Sequence, residues 1–445
     1  MQIENPIFPL ALPVFASALR TGHGRAMQQV KTYGAVGLED KIIETCVLCL
    51  SYDPQCEAER EPWLSAIVDN ANLQNQVIQA IGALLRDPPL EDHRDLNQRS
   101  AMLKELAVNG TFDARRLLYL SLTRLSHTAN VIAADQIVAL DGVDGLRFVA
   151  RKFGLWLLDD PDFWVDDWLI QQLDASAGSG VALAALEREA ATDSNIARYL
   201  AALRDTHEIR ETSADPMDRT LFTGAQIVAH VKNDFKDQCH WFRGWGMCAD
   251  SAQREIVFTA LLDAHEPDHV VRLLRCFSKT GVPRFDSRLL QWIFHTDEIV
   301  QWAAVKAVAS LNHPELRKAA LQLLAMGDLG RTAHLLIANY EEGDMLRYAQ
   351  RLEHPTDADR CHHLGGEILE LCVAHPCPET LDCLLYVYEF SPCSTCRRRA
   401  VSALIASDIV PKWVLTESTF DADPETRKLA ADALADSKQG RSTTG

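Results

Sequence analysis

Nowhere in its 445 residues does the chain hold an uninterrupted apolar run of roughly 18 residues, the length a membrane-spanning helix needs, so no membrane span is expected. Positive charge is also scarce. Lys and Arg total 44 against 62 Asp and Glu, a formal net charge of −18, and a surface of that sign repels phosphate backbones and anionic lipid. Nucleic acid is therefore not expected as a partner. The one tight basic run, Arg397-Arg398-Arg399, reads as a solvated helix face. A basic leader is missing too: the first twenty residues hold Glu4 and three prolines, which does not fit a signal peptide. Strand-like alternation is almost absent, and no complete catalytic set can be assembled. Cysteines are not scarce, at twelve, but most sit inside apolar helical patterns, as Cys46, Cys49, Cys276, Cys372 and Cys383 do. A thiol there acts as a small hydrophobe, which suits a reducing cytoplasm better than a disulfide framework.

What the chain has instead is helix after helix. Apolar residues recur at helical spacing, with breaks at Pro, Gly, Asp or Asn every ~12 to 18 residues. The spacing predicts helices over Asp40 to Leu50, Glu61 to Asp69, Leu73 to Leu85, Arg99 to Val108, Asp113 to Leu125, Val181 to Ala191 and Asn195 to Arg204. The connections are short, so successive helices should pack antiparallel.

Five helix starts, laid over one another, share a pattern at offsets four, seven, ten and eleven. From Asp250 these are Arg254, Val257, Ala260 and Leu261; from Asp423 they are Arg427, Ala430, Ala433 and Leu434. Cys393 is followed by Arg397, Ala400, Ala403 and Leu404, and His313 by Arg317, Ala320, Leu323 and Leu324. Asp297 is followed by Gln301, Ala304, Ala307 and Val308. A small residue at seven admits a close neighbour, and the pair at ten and eleven completes an apolar stripe. On these residues the chain resembles the HEAT-repeat superfamily, whose second helix reads Asp, three residues, Arg, then small and apolar positions. The resemblance covers residues 250 to 436 and implies an all-α fold, an α-α superhelix built as a HEAT-like solenoid of antiparallel helix pairs. It also implies polar links between successive repeats through Asp250 with Arg254 and Asp423 with Arg427. In the HEAT-like metalloenzyme deoxyhypusine hydroxylase, His-Glu pairs on several helices hold iron; here only His207-Glu208 and His265-Glu266 occur, too few for that ligand set.

Composition divides the chain into an N-terminal helical array over 1–174, a hinge region over 175–219, a HEAT-like array over 220–436 and a disordered tail over 437–445. The hinge is suggested by Ala175-Ser-Ala-Gly-Ser-Gly180 and by the polar stretch from Arg204 to Arg219.

Three local constellations stand out. Asp159 to Trp168 packs five carboxylates and three large aromatics into ten residues, and Asp162, Phe163, Trp164, Asp167 and Trp168 suit a basic peptide or protein partner. His240, Trp241 and Trp245 could line a small cleft that joins the partner-binding surface, or simply anchor an inter-helix turn. Cys361, His362, Cys393 and Cys396 are of metal-ligand type, and antiparallel helices would bring them to one end, although Cys396 also fits a core slot and Cys393 a cap. Gly22-His23-Gly24-Arg25 reads as a loop entering the first helix pair. The sequence thus favours a non-enzymatic scaffold or adaptor for a protein partner, with no cofactor; the competing reading is an enzyme or cofactor-binding protein with a site between repeats.

Overall fold

The computed structural model describes residues 3–53, 57, 60–86, 92–126, 130–211, 221–233, 237–355 and 357–442, the side chains of 207–211 and 437–442 excepted. Among the described residues the chain is all-helical, with 25 α-helices and no strand. It divides into two compact units. One is Pro6–Asp215 together with Phe420–Pro424; the other is Met1–Asn5, Pro216–Thr419 and Glu425–Gly445. The segment from Ala175 to Gly180 thus joins two helices of the same unit, Trp168–Ala177 and Val181–Ala190. Of the polar stretch from Arg204, residues 212–219 lie outside the described residues.

In the first unit Glu61–Ala71 packs on His93–Val108, which meets Phe112–Leu125 and Ala134–Asp159, and Ala134–Asp159 packs in turn on Ser194–Glu211, burying Leu64, Leu103, Leu118, Val149 and Tyr199. The turn at Gly22-His23 is a backbone requirement. Gly22, at φ 70°, caps the helix Leu12–Thr21 in the left-handed conformation, and His23 begins the next helix, Gly24–Tyr33. Gly154 serves packing instead: a Cβ there would lie 1.9 Å from the carbonyl oxygen of Asn195, so Ala134–Asp159 and Ser194–Glu211 approach backbone to backbone.

Four of the five aligned starts lie in the second unit and Asp423 in the first, and each is a helix N-cap or lies beside one. The helices Ser251–Leu262, Glu298–Val308, Pro314–Ala325 and Ser394–Ala406 begin directly after Asp250, Asp297, His313 and Cys393, and Pro424–Ser442 directly after Asp423. Asp250 accepts from the Gln253 N–H, Asp297 from Ile299 and His313 from Glu315, which satisfies orphan donors of the first turn. The apolar offsets are buried where the pattern requires: Val257 and Leu261, Ala304 and Val308, Ala320 and Leu323, Ala400 and Leu404. Helix then packs on sequential helix, Pro314–Ala325 on Leu329–Asn339, that on Ala358–Ala374, and that on both Leu381–Phe390 and Ser394–Ala406.

One expectation is corrected. Arg397 is fully buried rather than solvated, because offset four of its helix points inward, whereas Arg398 is half-buried and Arg399 exposed. The last helix spans Pro424–Ser442.

Candidate functional site

The acidic aromatic segment follows the end of Ala134–Asp159 and leads into Trp168–Ala177. Its side chains alternate. Phe163 and Val165 turn inward, Phe163 stacking edge-on against Phe153 at 5.3 Å and Trp156 at 5.6 Å. Trp164 and Trp168 turn outward and are 59% and 61% exposed. Phe163 is therefore a core anchor and not part of a contact surface. Between these rings lies a groove of about 230 Å³ lined by Val131, Asp135, Phe153, Trp164, Asp166 and Trp168, among others. Asp166 lines the groove and is exposed, as are Asp159 and Asp162 elsewhere in the segment, while Asp160 and Asp167 are half-buried. Asp166 accepts from the Trp168 N–H (3.2 Å) and Asp167 from Gln171 (2.7 Å), so both carboxylates sit at the start of the helix, where its dipole favours them. Burial pushes the Asp135 carboxyl above its ordinary range.

The second aromatic group is an anchored turn. Trp245 is 1% exposed and donates its indole N–H to the Phe222 carbonyl at 2.6 Å. Half-buried Trp241 donates to Asp237 at 2.9 Å and meets Phe222 and Phe242 edge-on. Of the three residues singled out there, only His240 is exposed. The same Asp237 accepts from the Cys239 N–H at 2.7 Å and lies 2.9 Å from His230 Nε2.

The third group converges at the start of two packed helices. His362 lies in the first turn or so of Ala358–Ala374, and Cys393 and Cys396 occupy the N-cap and third residue of Ser394–Ala406. Their donor atoms all lie within 4.8 Å of one another, with Cys396 Sγ 3.8 Å from His362 Nδ1. Cys361 is outside this cluster; its thiol donates to the Phe390 carbonyl at 3.0 Å. Adjacent helical residues diverge by ~100°, so only one of Cys361 and His362 can face the next helix start. The other thiols behave as core atoms: burial pushes Cys46 up to about 12 and Cys361 up to about 11. Cys393 goes the other way. The hydrogen bond from Cys396 is the main cause, overcoming burial, with help from the Cys396 and Thr395 backbone N–H groups.

One feature had no sequence signal, because its parts lie on three separate helices. A concave groove of about 840 Å³ is lined by Glu298, Trp302, Lys306, Arg331, Arg360 and Glu367, among others. Lys306 and Arg331 both lie over the Trp302 ring, and His334 Nε2 sits 2.5 Å from Glu367 Oε2. Acids and bases are mixed along this groove, so it offers no single-sign recognition surface.

No protein-family model matches this chain, and comparison with the curated proteins and with the solved structures returns no match. No helix among the described residues is long and apolar enough to cross a membrane.

Proposed function

We propose that the chain is a non-enzymatic protein-binding scaffold, a HEAT-like α-solenoid of the cytoplasm, whose docking surface is the segment Asp159–Trp168. The observation that carries this reading is the outward pair Trp164 and Trp168 flanking a groove lined by the carboxylates of Asp135 and Asp166. Exposed tryptophans are costly to leave in water and are strong interface anchors, whereas Phe163 holds the segment in place from below. With five aspartates in ten residues on a chain of net charge −18, the complementary occupant is a Lys- or Arg-rich segment of another protein that also carries an apolar side chain. The apolar, buried setting of Cys46, Cys276, Cys372 and Cys383 supports a reducing compartment, and the aligned helix starts support the HEAT-like repeat.

The test is selection from a library of short peptides of varied charge. The wild-type chain is expected to enrich basic peptides bearing an apolar residue, with binding that weakens as salt rises. The double variant Trp164→Ala, Trp168→Ala is expected to lose that enrichment while keeping its helical circular dichroism. Enrichment of the same peptides by both proteins, or none by either, would reject this surface.

A further inference from the structure

We infer that His362, Cys393 and Cys396 form a zinc-binding site, separate from the docking surface proposed above and independent of it. The three donors belong to two helices packed on each other, Ala358–Ala374 and Ser394–Ala406. They are one imidazole and two sulfurs, a soft N/S set of the kind zinc takes with tetrahedral geometry. Zinc bonds of ~2.3 Å to sulfur and ~2.0 Å to nitrogen, at the tetrahedral angle, would hold those ligand atoms about 3.6 Å apart. Cys396 Sγ and His362 Nδ1 lie 3.8 Å apart, and all three donors fall within 4.8 Å of one another. Little movement is needed to close them on one ion.

The spacing Cys393-Ser-Thr-Cys396 is also that of a redox dithiol, but burial separates the two uses. Cys393 is 2% exposed and Cys396 6%, so a partner disulfide cannot reach either sulfur, whereas a small cation can enter past half-buried His362. The local backbone is also tied down. Ser391 Oγ lies 3.3 Å from the Cys393 N–H and accepts from it, fixing the cap residue. Three protein donors leave the fourth tetrahedral position to water.

The other two groups of this kind are less suited to a metal. In His230, Asp237 and Cys239 the carboxylate already accepts from Trp241 and from the Cys239 N–H. In His334, Glu367 and Glu370 there is no sulfur, and Glu370 is exposed.

The experiment uses the full chain, purified without a histidine tag, reduced, and titrated with Co²⁺ as a spectroscopic stand-in for Zn²⁺. The expected result is one Co²⁺ per chain with a sulfur-to-cobalt charge-transfer absorption in the near ultraviolet, lost on adding Zn²⁺. Cys393→Ser and Cys396→Ser should each diminish or abolish that band, and His362→Asn should keep a thiolate band while weakening cobalt binding. Far-ultraviolet circular dichroism checks that each variant is folded. Absence of a charge-transfer band in the reduced wild-type protein overturns the proposal whatever the variants do. So does a band of unchanged intensity in both folded cysteine variants, which would place the ion elsewhere.

Discussion

Asp237 shows how much one side chain can organise, since Trp241, Cys239 and His230 all converge on it. The Trp241 hydrogen bond first, then the Cys239 N–H and His230, hold its carboxyl down to about 2, against an unfolded value near 3.8. A carboxylate depressed on folding adds stability above its unfolded value and loses it as pH falls. The stability of the wild type to urea should therefore fall as pH drops from about 4 to about 2, and Asp237→Asn should show a smaller loss over that window. A second residue-level link joins Arg317 to fully buried Asp344, both of whose oxygens lie 2.9 Å from one guanidinium nitrogen. Asp344 also accepts from the Glu341 N–H at 2.9 Å. Removing the acid leaves the half-buried cation with only the exposed Glu341 carboxylate, 3.0 Å away, so Asp344→Ala should cost about 1–3 kcal/mol in chemical denaturation. Arg317 was visible in the sequence as the basic residue at offset four. Its partner was not, because nothing local connects two residues 27 apart in the chain. The same limit applies to Cys361 and His362, whose neighbouring positions look equivalent until the facing helix is known.

At the scale of the element, helix starts were the most legible feature. A capping side chain is a local device, so Asp250, Asp297 and His313 announce their helices without tertiary context. The direction of aromatic rings is not local in this way. Phe163 and Trp164 are adjacent and both apolar, and only the position of Phe153 and Trp156 decides which one turns inward. Gly154 was likewise unreadable, since its role comes from the Asn195 carbonyl on another helix. Gly154→Ala should force Ala134–Asp159 and Ser194–Glu211 apart and destabilise the first unit by about 1–3 kcal/mol or more, despite the higher helix propensity of alanine. A thermal melt of this variant that matched or exceeded the wild type would contradict the close approach.

At the scale of the whole molecule, the chain forms two units, and sequence neighbours do not always share one. Phe420–Pro424 belongs to the unit made by the first half of the chain. There the Ala422 N–H donates to Gly22 O at 2.9 Å, the Trp63 indole donates to Phe420 O at 2.8 Å, and Lys31 lies over the Phe420 ring. Ala422→Pro removes a buried donor and leaves the Gly22 carbonyl without that bond, which should cost about 1–3 kcal/mol. The same change should be seen as altered fluorescence of Trp63, because its acceptor lies two residues away; unchanged stability would show that this pairing is not needed.

The sequence by itself determined that the protein is helical, where several of its helices start and which of their faces are apolar. Those properties depend on 3.6-residue periodicity and on caps, both confined to a few neighbouring residues. Only the tertiary structure decided which of two adjacent residues meets a distant helix. It buried Arg397, gave Arg317 its acid, turned Trp164 outward, and set His362 rather than Cys361 beside Cys393 and Cys396. Each of these outcomes depends on contacts between residues far apart in sequence, and periodicity carries no record of which distant face a helix will meet.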